Sequence, residues 1–223
     1  MEIISETNKK NISFFGIIVS PVDTIKQFKN RTKLLTPLII ISILHGIYAG
    51  IYSYTMLGKN DNVNELAQAS GTTEERIQFV GGMISGTYTM LTIVFSIIIL
   101  SVFLKFLSIF LNKDITFKQL MSIITYSSII PFLGLVLNFF LSKLLGYQDV
   151  ISFTSLSSLV VSDLLSSILE IFDVFRIWHY VLIGMGLYYV AGWSKKQISI
   201  LAIVLITLII TGIVSMEIIP IMN

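Results

Sequence analysis

Long apolar runs separated by short polar clusters set the pattern of this chain of 223 residues. Five windows, 37–57, 80–104, 121–141, 174–193 and 198–219, are almost wholly apolar. Each approaches the roughly 20 residues with which a helix, rising 1.5 Å per residue, crosses a ~30 Å hydrocarbon layer. The pattern predicts an all-α, polytopic membrane protein with five transmembrane helices and short amphipathic helices beside them. Thr36 reads as the N-cap of the first window and Pro37 as its first helical position. Pro131 interrupts the third window, so a kink is expected there, with the freed carbonyl satisfied inside the bundle.

Two further stretches carry helical periodicity of a different kind. In "SPVDTIKQFKNRTK", Ser20 is placed as an N-cap, Pro21 at the first helical position and Asp23 near the start. Val22, Ile25 and Phe28 recur every three residues, while Lys26, Lys29, Arg31 and Lys33 supply cations. Residues 1–35 are therefore expected to form a cytoplasmic basic segment whose helix lies on an anionic leaflet, ahead of a five-helix membrane domain over 36–223. Between the third and fourth windows, serines alternate with Leu156, Leu159, Val160, Leu164 and Ile168, which predicts an amphipathic extracytoplasmic helix within about 149–172. Whether it lies flat or runs on into the fourth window is left open by the pattern. The polar loop over 58–77 contains helix-compatible pieces but is too short for a domain.

Composition sharpens the class. Hydrophobic residues make up 54% of the chain and charged ones 13%, against about 25% charged in ordinary soluble proteins. The absence of cysteine excludes disulfides, thiolate nucleophiles and sulfur-ligated metals. "ISFFGIIV", behind Lys9 and Lys10, imitates a signal peptide but is too short and lacks a small-residue cleavage site, so it is read as retained.

Charge sets orientation, because basic residues resist translocation and acids matter little. Alternating the five windows puts eleven of the fifteen basic residues on the side of the N-terminus. The other side receives Lys59, Arg76, Lys143 and Arg176, together with nine of the thirteen acids. The N-terminus is placed inside and the C-terminus outside, in a multi-pass protein of the plasma membrane.

Asp173, Arg176 and Tyr180 are spaced three and four apart, which aligns them along one stripe at the outer end of the fourth window. Asp173 suits the positive helix start, and Arg176 is positioned to snorkel or to pair with it. The stripe reads as an anchor for the helix end, with Trp178 as an interfacial aromatic, and as an exposed surface that meets a partner. His45 falls near the middle of the first window, where a hydrogen bond to a neighbouring helix is the simpler account and a proton relay the alternative. With only His45 and His179 present, no multi-histidine metal site is expected, and neither a cofactor nor a nucleic-acid partner is implied. Gly46/Gly50 and Gly82/Gly86 form G-x-x-x-G pairs, and Gly184 with Gly186 adds a third small-residue patch. Such patches serve packing within the chain or, alternatively, a homo-oligomer. Hydrolase, metalloprotease and phosphate-loop signatures are absent, and the reading is of a protein that is not an enzyme.

Phe175, Ile177 and Trp178 behind Asp173, the glycine-containing middle at Gly184 and Gly186, and "SKKQ" before the last window resemble the Yip family of small membrane proteins. "SPVDTIKQFK" followed by "LLTPLII", with Pro21, Phe28 and Pro37, is similar to that family's entry into its first span. The resemblance implies five helices and a cytoplasmic N-terminus. Eukaryotic relatives act in vesicle trafficking with Rab-type GTPases. Some bacterial members are similar to an accessory subunit of MacB-type ABC exporters that supports assembly and protects against a toxic peptide, and this short chain resembles the bacterial branch. The leading expectation is thus a non-catalytic accessory protein bound to other membrane proteins. A transporter or channel using His45, Asn138 and the Asp173/Arg176 pair, and a lipid-organising protein using Lys26, Lys29, Arg31 and Lys33, are the alternatives.

Overall fold

A computed structural model describes residues 13–59, 62–160 and 163–218. Lys9, Lys10 and Asp61, used in the charge argument, lie outside the described residues, as does the end of the last predicted window. The described chain is helical. Two short helices, α1 (Gly16–Val19) and α2 (Pro21–Gln27), precede the long α3 (Leu35–Leu57). The small α4 (Asn62–Ser70) leads into α5 (Glu74–Phe110). A broken pair follows, α6 (Phe117–Ser127) and α7 (Ile129–Leu144), then α8 (Asp163–Leu169), α9 (Val174–Tyr189) and α10 (Lys195–Ile218).

Among the described residues, three segments are long and apolar enough to cross a membrane: α3, α5, and the α6–α7 pair taken as 117–144. The α6–α7 pair is the centre of the bundle, since 67% of its most apolar stretch is buried against 28% for α3 and 22% for α5. The outer helices therefore turn most of their surface away from the protein. α9 and α10 occupy the fourth and fifth windows. With 16 residues, α9 measures about 24 Å, short of a full hydrocarbon layer without its flanking turns.

The α6–α7 break has an identifiable cause. Pro131 has no N–H, so the carbonyl of Ser127, four residues earlier, loses its helical partner. The hydroxyls of Ser127 and Ser128 both donate to the Ile124 carbonyl, at 2.9 and 2.8 Å, which holds the last turn of α6. Ser128 is the residue between the two helices, so the expected kink lies just N-terminal to the proline.

α3 and α5 cross through the two G-x-x-x-G pairs. A Cβ on Gly86 would stand 2.8 Å from the carbonyl oxygen of Gly46, and one on Gly82 would stand 2.9 Å from that of Gly50. Lipid offers no hydrophobic force between helices, so this backbone contact and its dispersion energy hold the pair together. The glycines are used within the chain.

Three expectations are corrected at the level of local structure. α3 begins at Leu35 with Leu34 at the cap position, so Thr36 and Pro37 lie inside its first turn; helix starts are set by backbone pairing, and the Leu38 N–H already bonds the Leu34 carbonyl at 3.0 Å. α2 begins as read, with Ser20 at the cap and Pro21 first, but without a side-chain cap bond. Its apolar face does not face outward: Ile25 and Phe28 are fully buried, and the Phe28 ring meets Tyr126 at 4.9 Å. The stretch 149–172 is not one amphipathic helix. It runs as an irregular segment, a 3₁₀ turn (Leu156–Leu159), α8, and a second 3₁₀ turn (Glu170–Phe172). Ser155 accounts for the first interruption, since its hydroxyl accepts from the Ser157 N–H and donates to the Leu169 carbonyl. The segment ends at a cap on Asp173 and does not extend α9.

Candidate functional site

Asp173 organises the polar centre of one end of the bundle. As N-cap of α9, its Oδ1 accepts from the backbone N–H groups of Phe175 and Arg176 at 2.9 and 3.0 Å. Its Oδ2 accepts from the hydroxyl of Thr154. Thr154 is held in turn by Asn138 of α7, whose Nδ2 donates to the threonine hydroxyl at 2.9 Å and whose Oδ1 accepts from the Thr154 N–H at 3.3 Å. The Val174 N–H closes the ring onto the Thr154 carbonyl at 3.0 Å. A carboxylate in this place complements the positive end of α9 and has its oxygens satisfied, which is what permits its burial at 5% exposure. The node sews the 151–155 segment to α7 and α9.

That geometry corrects the reading of the Asp173–Arg176–Tyr180 stripe. Asp173 points inward and is not part of an exposed surface. Arg176 does not pair with it; its guanidinium donates to Glu170 at 2.8 Å, with both side chains nearly half exposed. The outward polar stripe is therefore Glu170, Arg176 and Tyr180, with Trp178 also exposed. Sequence spacing placed Asp173 and Arg176 on neighbouring turns but could not reveal that a cap residue bends its carboxylate back over the helix start.

The two histidines lie on α3 and α9, within electrostatic reach of each other. His45 is buried, its Nδ1 is 2.8 Å from the Ile41 carbonyl of its own helix, and its ring lies 5.2 Å from that of Phe132. His179 of α9 comes near the backbone of Ser127 at the α6–α7 break, and its ring lies 5.6 Å from that of Tyr180. Its Nδ1 is buried with no hydrogen-bond partner among the described residues, as is the Thr125 hydroxyl. His179 was not singled out from the sequence as a site residue. The available signal was Pro131, which obliges some donor to reach the carbonyl four residues before it.

Nine of the basic residues gather at the opposite end, on the segments 20–34, 105–118 and 194–197. Lys26 sits 5.0 Å from the centre of the Tyr189 ring, and the Lys29 carbonyl accepts from Gln119 at 3.0 Å. Lys26, Lys29, Arg31 and Lys33 are all exposed. Among the described residues no group of three or more histidines or acids is placed to hold a metal ion. An open apolar cleft of about 440 Å³ runs beside the α3–α5 crossing, lined by Gly50, Tyr54, Gly82, Met83 and Met90 among others.

Long apolar helices around a small polar interior, with charge held at the two ends, define a helical membrane protein. The Yip1 domain family matches residues 15–216, and the chain belongs to that family. The chain is 28% identical over 212 residues to "Membrane protein YknW" of Bacillus subtilis (strain 168), an alignment covering 92% of this chain and 90% of that protein. No solved structure matches the chain.

Proposed function

We propose that this chain is a non-catalytic accessory protein of a larger membrane complex, of the ABC-exporter type, in the plasma membrane. The observation that carries the reading is the disposition of polar groups. Asp173, Thr154 and Asn138 are consumed by one another, so they serve the fold, whereas Glu170, Arg176 and Tyr180 remain on the outside of α9 where another protein can reach them. Ionisable groups at a membrane rim are retained where they anchor or recognise. The near full-length alignment with a bacterial membrane protein and the family resemblance drawn above support a bacterial accessory role. We further propose five crossings with the N-terminus cytoplasmic: α9 and α10 complete the set, and the basic ends of α2, α5, α6 and α10 share one side.

The test is affinity purification of the tagged protein from its native membrane in mild detergent, with co-purifying chains identified by mass spectrometry. Stoichiometric exporter subunits, lost with Arg176→Ala or Tyr180→Ala, are the expected result. A solitary protein overturns it.

A second reading, a transporter with an interior polar step, is favoured by the His45–His179 approach and the unpartnered Nδ1 of His179. It requires solute flux in proteoliposomes that His45→Leu or His179→Leu abolishes.

A further inference from the structure

Nine basic residues and two acidic ones, Asp23 and Asp114, lie on the segments 20–34, 105–118 and 194–197. Tertiary contacts bring these segments together at one end of the bundle. Gln119 of α6 donates to the Lys29 carbonyl behind α2, and Lys26 of α2 rests on Tyr189 at the end of α9. Trp193, in the α9–α10 turn, donates its indole N–H to the Ser108 hydroxyl of α5 at 3.2 Å. Lys105 of α5 donates to the Ile115 carbonyl at 2.7 Å, closing the turn into α6. The result is a single cap made from the N-terminal hairpin, the α5–α6 turn and the α9–α10 turn.

The cap carries cations where helix physics disfavours them. α6 opens with a capping box in which the Thr116 hydroxyl accepts from the Gln119 N–H at 3.2 Å and Gln119 Oε1 accepts from the Thr116 N–H at 2.8 Å. α10 opens the same way, with Ser194 and Gln197 exchanging bonds of 3.2 and 2.9 Å. The positive end of a helix favours acids in its first turn. Here the first turns hold Lys118, and Lys195 with Lys196, and glutamine rather than glutamate closes both boxes. These three lysines are exposed. Each weakens its own helix start unless an anion from outside compensates.

Apolar side chains on the same hairpin and helix ends identify where that anion comes from. Phe15 and Val19, in the turn and helix that precede the basic hairpin, are 65% and 84% exposed, and Phe110 at the end of α5 is 76% exposed. A soluble anion has no use for them, whereas a bilayer surface presents phosphate and hydrocarbon together. We propose that this end of the bundle is a binding site for the phosphate headgroups of anionic phospholipids. Lys118, Lys195 and Lys196 contribute from two helix starts, Lys29 and Arg31 from the hairpin, and Phe15 and Val19 enter the acyl region beside them. The site is separate from the Glu170–Arg176–Tyr180 stripe and does not depend on the proposed partner.

The full-length protein in neutral detergent is unfolded thermally with added phosphatidylglycerol, with phosphatidylcholine, and with inorganic phosphate. Phosphatidylglycerol alone is expected to raise the midpoint by roughly 5 °C, the shift that ligand linkage gives for a chain of this size at high saturation. Changing Lys118, Lys195 and Lys196 together to Gln removes the shift; changing them to Arg, or changing Lys59 and Lys143 at the other end to Gln, retains it. An equal shift with phosphatidylcholine, or a Gln variant that keeps the shift, overturns the site. An equal shift with inorganic phosphate overturns the lipid assignment. If the Gln variant does not fold, the wild-type shift is measured in roughly 0.5 M salt, where charge interactions are screened within a few ångström, and its survival there overturns the proposal.

Discussion

The indole N–H of Trp193 donates to the hydroxyl of Ser108 at 3.2 Å, joining the turn before α10 to the far end of α5, and both residues are buried. The Ser108 hydroxyl donates onward to the Leu104 carbonyl at 2.8 Å, so it both accepts and donates. Ser108→Ala leaves the indole N–H buried without an acceptor, a loss of about 1–3 kcal/mol. Denaturant titration in detergent micelles checks this. Trp193→Phe in the Ser108→Ala background should cost less than the two single changes summed, because the orphaned donor is then gone.

Asp173→Ala removes the cap of α9 and the acceptor of the Thr154 hydroxyl in one step. A lost N-cap costs about 1 kcal/mol, and charge-assisted bonds contribute about 1.5–3 kcal/mol each. A destabilisation of about 2–4 kcal/mol is expected, with Asn138→Ala smaller. Thermal unfolding of the purified variants, compared with wild type under identical detergent, gives the ranking; an Asp173→Ala protein as stable as wild type would remove the node from the account of the fold.

Arg176→Ala behaves in the opposite way. Its ion pair with Glu170 is solvent-accessible, and such pairs contribute about 0–1 kcal/mol. Stability is expected to stay within about 1 kcal/mol of wild type, while co-purification of a partner falls. The comparison of unfolding midpoint and partner yield for the same variant separates recognition from folding.

Gly86→Val and Gly82→Val place a branched side chain against the carbonyl oxygens of Gly46 and Gly50, which are backbone atoms that cannot turn aside. α3 and α5 must separate, and overpacking of this kind costs typically about 1–3 kcal/mol. Cysteine pairs introduced across the crossing and cross-linked in membranes report it directly: their yield should drop in both valine variants. Gly71, whose Cβ would meet nothing, is the matched control for added bulk, although its φ of +64° adds a local cost of its own.

Residence in the membrane was legible from the apolar windows, and the positions of α3, α5 and the α6–α7 pair followed, because hydropathy and helix length are sums over neighbours in the chain. The break before Pro131 was legible for the same reason, as a local consequence of a missing N–H. The family resemblance was drawn from short motifs read in linear order, "SPVDTIKQFK" and "SKKQ" among them, and the family match spans residues 15–216.

Pairing of polar groups was decided only in three dimensions. Spacing put Arg176 beside Asp173, yet the carboxylate went to Thr154 and to the helix start, and the guanidinium went to Glu170. Periodicity offered the apolar face of α2 to the lipid surface, and Phe28 instead found Tyr126. The physical reason is common to both: with no hydrophobic force between helices in lipid, the rotation of each helix is set by close backbone contact at glycine and by the pairing of buried polar groups. Those partners lie far away in sequence, where no local period can point to them.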